Sequence, residues 1–213
     1  MTHTLHRITD LFGESDDFVI LCMAAQKFND KGAGEKLKKI FRLVADTYPD
    51  NLADDNLGGR YTGYTDVEIL GHMGDKAYVG AAFSDRTHLR EALKRIKEAD
   101  LGMSVVVSGN YKAVFKILKE IGMKPHTVNM SLGIYGNKAL LPDREVLAIS
   151  TMCGHGMVTR KRIENIVKKT KSGKLTAEEG GRMLASTCTC GIFNPKLASK
   201  ILQRASEKEK GER

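Results

Sequence analysis

Phe18-Val19-Ile20-Leu21-Cys22-Met23 is an uninterrupted apolar run. A short segment with no polar alternation reads as a strand buried on both faces. Working outward from it, Leu37, Ile40, Phe41 and Val44 recur at helical spacing between lysines, so Gly34–Val44 reads as an amphipathic helix. Pro49 and the Asp/Asn/Gly-rich segment through Gly63 predict that helix's end and a long loop.

Val67–Met73 and Lys76–Phe83 flank Gly74-Asp75, and the pattern predicts a type II′ hairpin. Asp85 precedes the stripe Leu89, Leu93 and Ile96, a second helix. Gly102 then opens Ser104-Val105-Val106-Val107, a β-branched strand. Val114, Ile117, Leu118 and Ile121 mark a third helix, closed by Gly122. Thr127–Tyr135 reads as a last strand. The expectation is an α/β or α+β region over residues 1–141, with a mixed sheet containing at least one hairpin. Residues 1–16 read as a polar lead-in with about one helical turn and no signal-peptide profile.

After Pro142 the strand signal stops, and residues 142–213 read as a small all-helical domain. Val146, Leu147 and Ile149 mark its first helix; Ile163, Ile166 and Val167 mark the next, ending at Ser172-Gly173. Thr176 with Glu179 is a capping box, in which hydroxyl and carboxylate each satisfy a free backbone N–H. Asn194-Pro195 supplies an N-cap and a first-position proline for the last helix.

Charge is distributed unevenly. Residues 151–213 carry 14 Lys and Arg against 6 Asp and Glu, so the whole net charge of +8 belongs there. Such a segment suits an acidic protein partner or nucleic acid. No stretch is long and apolar enough to span a membrane, and the expectation is a cytoplasmic protein. In that compartment cysteines serve as metal ligands, redox groups or buried thiols more often than as disulfides.

Three of the four cysteines are close in sequence: Cys153-Gly-His155 and Cys188-Thr-Cys190 make two tight pairs. Each pair precedes a predicted helix, whose N-terminal N–H groups favour thiolates and an anionic cluster. Adjacent x-spaced cysteines are poorly placed for a disulfide with each other. The four side chains Cys153, His155, Cys188 and Cys190 are therefore candidate ligands of one inorganic centre.

Cys153-Gly-His155-Gly-Met-Val158-Thr159, followed by Ile163, Thr176-Ala-Glu178-Glu179 and Thr187-Cys188-Thr-Cys190-Gly191, resembles the bacterioferritin-associated ferredoxin-like, or BFD-like, [2Fe–2S]-binding domain. The resemblance covers about residues 150–204. It implies a [2Fe–2S] cluster held by Cys153, Cys188 and Cys190. His155 stands where that family has its second cysteine. The family's closing Cys-x-x-Cys corresponds either to Cys188-x-Cys190 or to Cys190 with Phe193 in the second place. Imidazole in place of thiolate removes a negative charge, which raises a cluster's reduction potential and makes it sensitive to pH. The same Cys₃His set also suits tetrahedral zinc, and [4Fe–4S] is a further alternative.

Three functional readings follow. The first is an iron–sulfur protein in electron transfer or cluster-dependent regulation, docking an acidic redox partner. The second is a zinc-stabilised module contacting nucleic acid, weakened by Phe193 being the one aromatic residue in the basic segment. The third is a redox enzyme with its active site in the α/β region. Weaker signals are Ser108-Gly109-Asn110, a strand-to-helix turn able to hold an anion, and His72 or His126 at a pocket. Gly32-Ala-Gly34 and Gly58-Gly59-Arg60 lack nucleotide-binding spacing and read as loop glycines. Cys22 reads as a core thiol.

Overall fold

The computed structural model describes residues 4–8 and 17–211; most of the lead-in expected over residues 1–16 lies outside them. The apolar run forms β1 (Phe18–Met23), and α1 (Ala33–Ala45) follows. Then come β2 (Asn51–Asp54), β3 (Gly58–Gly59), α2 (Asp66–His72) and β4 (Tyr78–Phe83). α3 (Arg86–Ala99), β5 (Ser104–Ser108) and α4 (Tyr111–Glu120) complete the first part. The remainder holds α5 (Arg144–Thr151), α6 (Arg160–Lys171), α7 (Ala177–Ala185) and α8 (Pro195–Gly211). None of the described helices is long and apolar enough to cross a membrane.

The strands form one sheet in the order β3-β2-β4-β1-β5. Every pairing is antiparallel, so the expected mixed sheet is corrected to an antiparallel one. β1 and β2, joined through α1, run the same way, but β4 lies between them. β4 and β5, joined through α3, also run the same way, with β1 between. Each helical crossover thus links strands that point alike without ever touching, and this is why alternating helices and strands gave no parallel pair.

β1 is central and is buried on both faces. Phe18, Ile20 and Cys22 belong to one apolar cluster with Leu37 and Phe41 of α1, Leu89 and Leu93 of α3, and Ile117 of α4. Val19 and Leu21 point the other way, into a cluster with Ile149, Ile163, Leu184 and Ile201 of the C-terminal helices and Phe193 of the loop before α8. Period-two alternation on one strand therefore feeds two interiors, and the helices form a layer on each side of the sheet.

Two expected strands are absent. Val67–His72 lies in α2 and Met73 is its C-cap; the start of α2 is closed by a capping box: Thr65 Oγ1 accepts from Glu68 N, and Glu68 Oε2 accepts from Thr65 N at 2.8 Å. Ile69 and Met73, four residues apart, face the core, which is helical rather than strand periodicity. The hairpin at Gly74-Asp75 is likewise replaced. The Asp75 carboxylate instead accepts from the N–H of Gly32 at 3.0 Å and of Gly34 at 2.8 Å, closing the start of α1. Thr127–Tyr135 forms no strand, and its alternating Val128, Met130, Leu132 and Ile134 are all exposed. Conversely, β2 and β3 lie inside the predicted loop. They are short, and Gly59 is required there because a Cβ would overlap the Leu52 carbonyl across the strand pair.

Candidate metal centre

The first candidate pair sits in the turn that follows α5. Cys153 N–H donates to Ser150 O at 3.3 Å, and Gly156 N–H returns to Cys153 O at 3.1 Å. Gly156 has φ +71°, a left-handed conformation that glycine adopts without strain. Thr159 then caps α6. The second pair follows α7: Cys188 N–H donates to Ala185 O at 2.9 Å, Gly191 turns the chain at φ +70°, and Asn194 Oδ1 caps α8 by accepting from Leu197 N at 3.0 Å.

This second loop lies flat on the sheet where Ala53 of β2 pairs with Gly80 of β4. A Cβ at Gly80 would overlap the Cys190 carbonyl, and one at Gly191 would come within 2.7 Å of the Ala53 side chain. Asn51 Nδ2 donates to Phe193 O at 3.0 Å, fixing the loop's far end. Glycine at 80 and 191 is thus what allows the loop to reach the strands.

The two loops meet. Cys188 and Cys190 sulfurs are 3.7 Å apart, and Cys190 Sγ is 3.7 Å from His155 Nδ1. Cys153 and Cys188 share a sulfhydryl hydrogen bond. All three thiols are free, with relative exposures of 2 % for Cys153, 2 % for Cys188 and 1 % for Cys190, whereas His155 is exposed. The four groups form a chain of contacts, Cys153–Cys188–Cys190–His155. Among the described residues no three His, Cys, Asp or Glu side chains are gathered in metal-holding geometry. The two 3.7 Å separations, Cys188–Cys190 and Cys190–His155, are ordinary contact distances for sulfur.

Each sulfur is also met by main-chain donors. Met157 and Val158 N–H groups bond to Cys153, Phe193 N–H to Cys188 and Ile192 N–H to Cys190. Such bonds stabilise the anionic form of a sulfur. For Cys190 the hydrogen bond from Cys188, aided by Ile192 N–H, outweighs burial and holds the thiol below its ordinary range. For Cys188 the bond to Cys153 pulls downward, but the bond to Cys190 and burial together push it up to about 12. The bond with Cys188 and burial raise Cys153. Along the row, Cys190 is thus shifted down while Cys188 and Cys153 are shifted up.

Two features here were not foreseen from sequence. Arg7, in the polar lead-in, is buried and bridges both loops: its Nη1 donates to Met152 O at 2.6 Å and to Ile192 O at 2.8 Å. Tyr78, on the same face of β4 as Gly80, packs against the cysteine-containing cluster, and its buried hydroxyl has no hydrogen-bond partner among the described residues. Burial first, then the nearby Cys190 and Asp55, raises that phenol far above its usual range. A tyrosine opening a strand two residues before a glycine was the available signal.

The weaker candidates have structural partners. Asn110 caps α4, Ser108 Oγ meets Thr4 Oγ1 at 2.7 Å, and a Cβ at Gly109 would press on the Phe18 ring. His72 Nδ1 stands 3.7 Å from Asp54 Oδ2 on the far side of the sheet, and His126 is exposed. Cys22 is buried in the other core, which pushes its thiol up to about 12. No protein-family model, curated protein or solved structure matches the chain.

Proposed function

We propose that the chain is an iron–sulfur protein whose residues 142–213 act as a BFD-like module. In this reading Cys153, Cys188, Cys190 and His155 ligate a [2Fe–2S] cluster for electron transfer or cluster-dependent regulation. The observation that carries the reading is the meeting of three buried sulfurs and one imidazole from two separate loops, each sulfur already receiving main-chain N–H bonds. Buried thiols in a purely structural core have no need of that solvation, whereas an anionic cluster does. The cluster would supply one-electron chemistry. The chain's own part is to hold the sulfurs, shield them with Phe193 and Ile192, and present an exposed histidine edge.

Partner choice follows from the same region. Arg160, Lys161 and Arg162 open α6 immediately after the exposed His155–Met157 turn, so an acidic redox partner would approach the site's open side.

Tetrahedral zinc is the second reading, because the same thiols and imidazole are donor types that zinc takes. Protein purified without oxygen separates the two. Visible colour with equal iron and acid-labile sulfide supports the cluster; colourless protein with one firmly held zinc overturns it.

A further inference from the structure

We infer that β5 is a docking edge for a second copy of this chain, the two β5 strands pairing antiparallel across a two-fold axis centred on Val106. The contact needs no metal and stands or falls separately from the cysteine site.

Of the sheet's two edges, only one offers backbone to a partner. β3 is two residues long, buried, and passes at once into the Arg60–Thr62 turn. β5 has five residues and pairs with β1 alone among the described residues. It is exposed at Ser104 and half-buried over 105–108. Folded proteins guard such an edge with a charge, a proline or a bulge. Ser104-Val105-Val106-Val107-Ser108 holds no charge and no proline, and its register with β1 is continuous.

The strand's own sequence points to the occupant, because it reads the same in both directions. Antiparallel pairing about Val106 sets that valine against itself, Val105 against Val107 of the second copy, and Ser104 against Ser108 of the second copy. The faces match too. Val105 and Val107 pack against the core under α1, α3 and α4, and Val106 against the core of the C-terminal helices. A two-fold axis normal to the sheet keeps each face on its own side. Opposed β-branched side chains are favourable, and no like charges meet. Every existing strand pair is antiparallel, so the seam continues the pattern of the sheet.

Apolar surface lies beside this edge as well. α4 packs on β5 and α3 and leaves Tyr111 46 % and Phe115 38 % exposed, their rings edge-on at 5.9 Å. Joining the two edges puts both α4 helices on the same side of the extended sheet. Five strand residues and two rings per copy fall short of the roughly 800 Å² that each partner contributes to a standard interface. The dimer should therefore dissociate at a concentration on the order of tens of micromolar, not nanomolar.

The test follows the mass of the full chain with concentration, by sedimentation or light scattering. Wild type should run near 23.5 kDa when dilute and approach twice that mass at roughly 500 μM. Val106→Lys and Val106→Glu each oppose like charges and should stay monomeric, while their equimolar mixture should regain the dimer. Ser104→Cys with Ser108→Cys should cross-link between copies under mild oxidation. Ser104→Cys alone should not, because its two sulfurs would lie about 13 Å apart along the seam. Wild type that remains monomeric up to roughly 1 mM overturns the inference. So does a mixture of folded Val106 variants that stays monomeric. A dimer retained by both single variants overturns it too, placing the contact elsewhere, for instance at the exposed Met130 and Leu132. Should the Val106 variants lose their fold by circular dichroism, the cysteine variants decide. Cross-linking of the double variant alone supports the edge, and cross-linking of both or of neither overturns it.

Discussion

The Arg7 guanidinium grips the Asp17 carboxylate along two parallel bonds, Nε to Oδ2 at 2.8 Å and Nη2 to Oδ1 at 2.6 Å, with both side chains almost wholly buried. Asp17 also accepts from Asn194 Nδ2 at 3.3 Å, while the remaining Arg7 nitrogen reaches the Met152 and Ile192 carbonyls. One ion pair at the head of β1 therefore fastens the residues that flank Cys153 and Cys190.

Arg7→Met leaves the Asp17 charge buried without its partner, and removing one half of such a pair costs about 3–5 kcal/mol. Urea unfolding should show this loss. Arg7→Met with Asp17→Asn should recover a substantial part of it, because no lone charge remains. A single variant as stable as the double would show that the pair contributes little.

Gly80→Ala forces the second cysteine loop off the sheet, because the new Cβ overlaps the Cys190 carbonyl. Crowding of this kind costs about 1–3 kcal/mol, and iron or zinc retention should drop in parallel. Gly71→Ala is the control. That position lies in α2 with nothing within 4 Å of a Cβ, and the change should raise stability by up to about 1 kcal/mol through helix propensity.

Tyr78→Phe removes a buried hydroxyl that lacks a partner among the described residues. An unpaired buried polar group is unfavourable, so the metal-free variant should equal wild type or exceed it by about 1 kcal/mol in thermal or urea unfolding. A loss of more than that amount would reveal a hydrogen bond to the phenol in solution.

Cys22 links stability to alkaline pH. Its thiol is raised to about 12 by burial in the folded chain, against about 8.5 when unfolded. Above the unfolded value the unfolded state releases a proton that the folded state keeps, so stability falls as pH rises, by up to about 1.4 kcal/mol per pH unit, until the folded value is reached. Cys22→Ala abolishes that contribution. The stability gap between wild type and variant should shrink between neutral and strongly alkaline pH in urea titrations; a constant gap would contradict the assignment.

The sequence exposed some of this structure and hid the rest for identifiable reasons. β1 was legible because six apolar residues in succession have few alternatives. The capping box at Thr176 and Glu179 was legible, and the structure contains it. The same box at Thr65 and Glu68 was obscured by the alternation of Val67, Ile69 and Met73, which imitates a strand. β2 was hidden because Asn51 and Asp54 are buried polar residues whose partners, Phe193 O for Asn51 and Tyr78 N for Asp54, come from elsewhere in the chain. The grouping of Cys153, Cys188, Cys190 and His155 could be read from spacing. The Arg7–Asp17 pair could not, since nothing local distinguishes an arginine that will be buried from one that stays in water.

β1 has no idle side. Phe18, Ile20 and Cys22 are held by one interior and Val19 and Leu21 by the other, so neither half of the molecule can melt while this strand stays dry. Deuterium uptake should be slowest at its amides, and damage that loosens the helices flanking the cysteine loops should speed exchange there before it reaches the far helices α1 and α3.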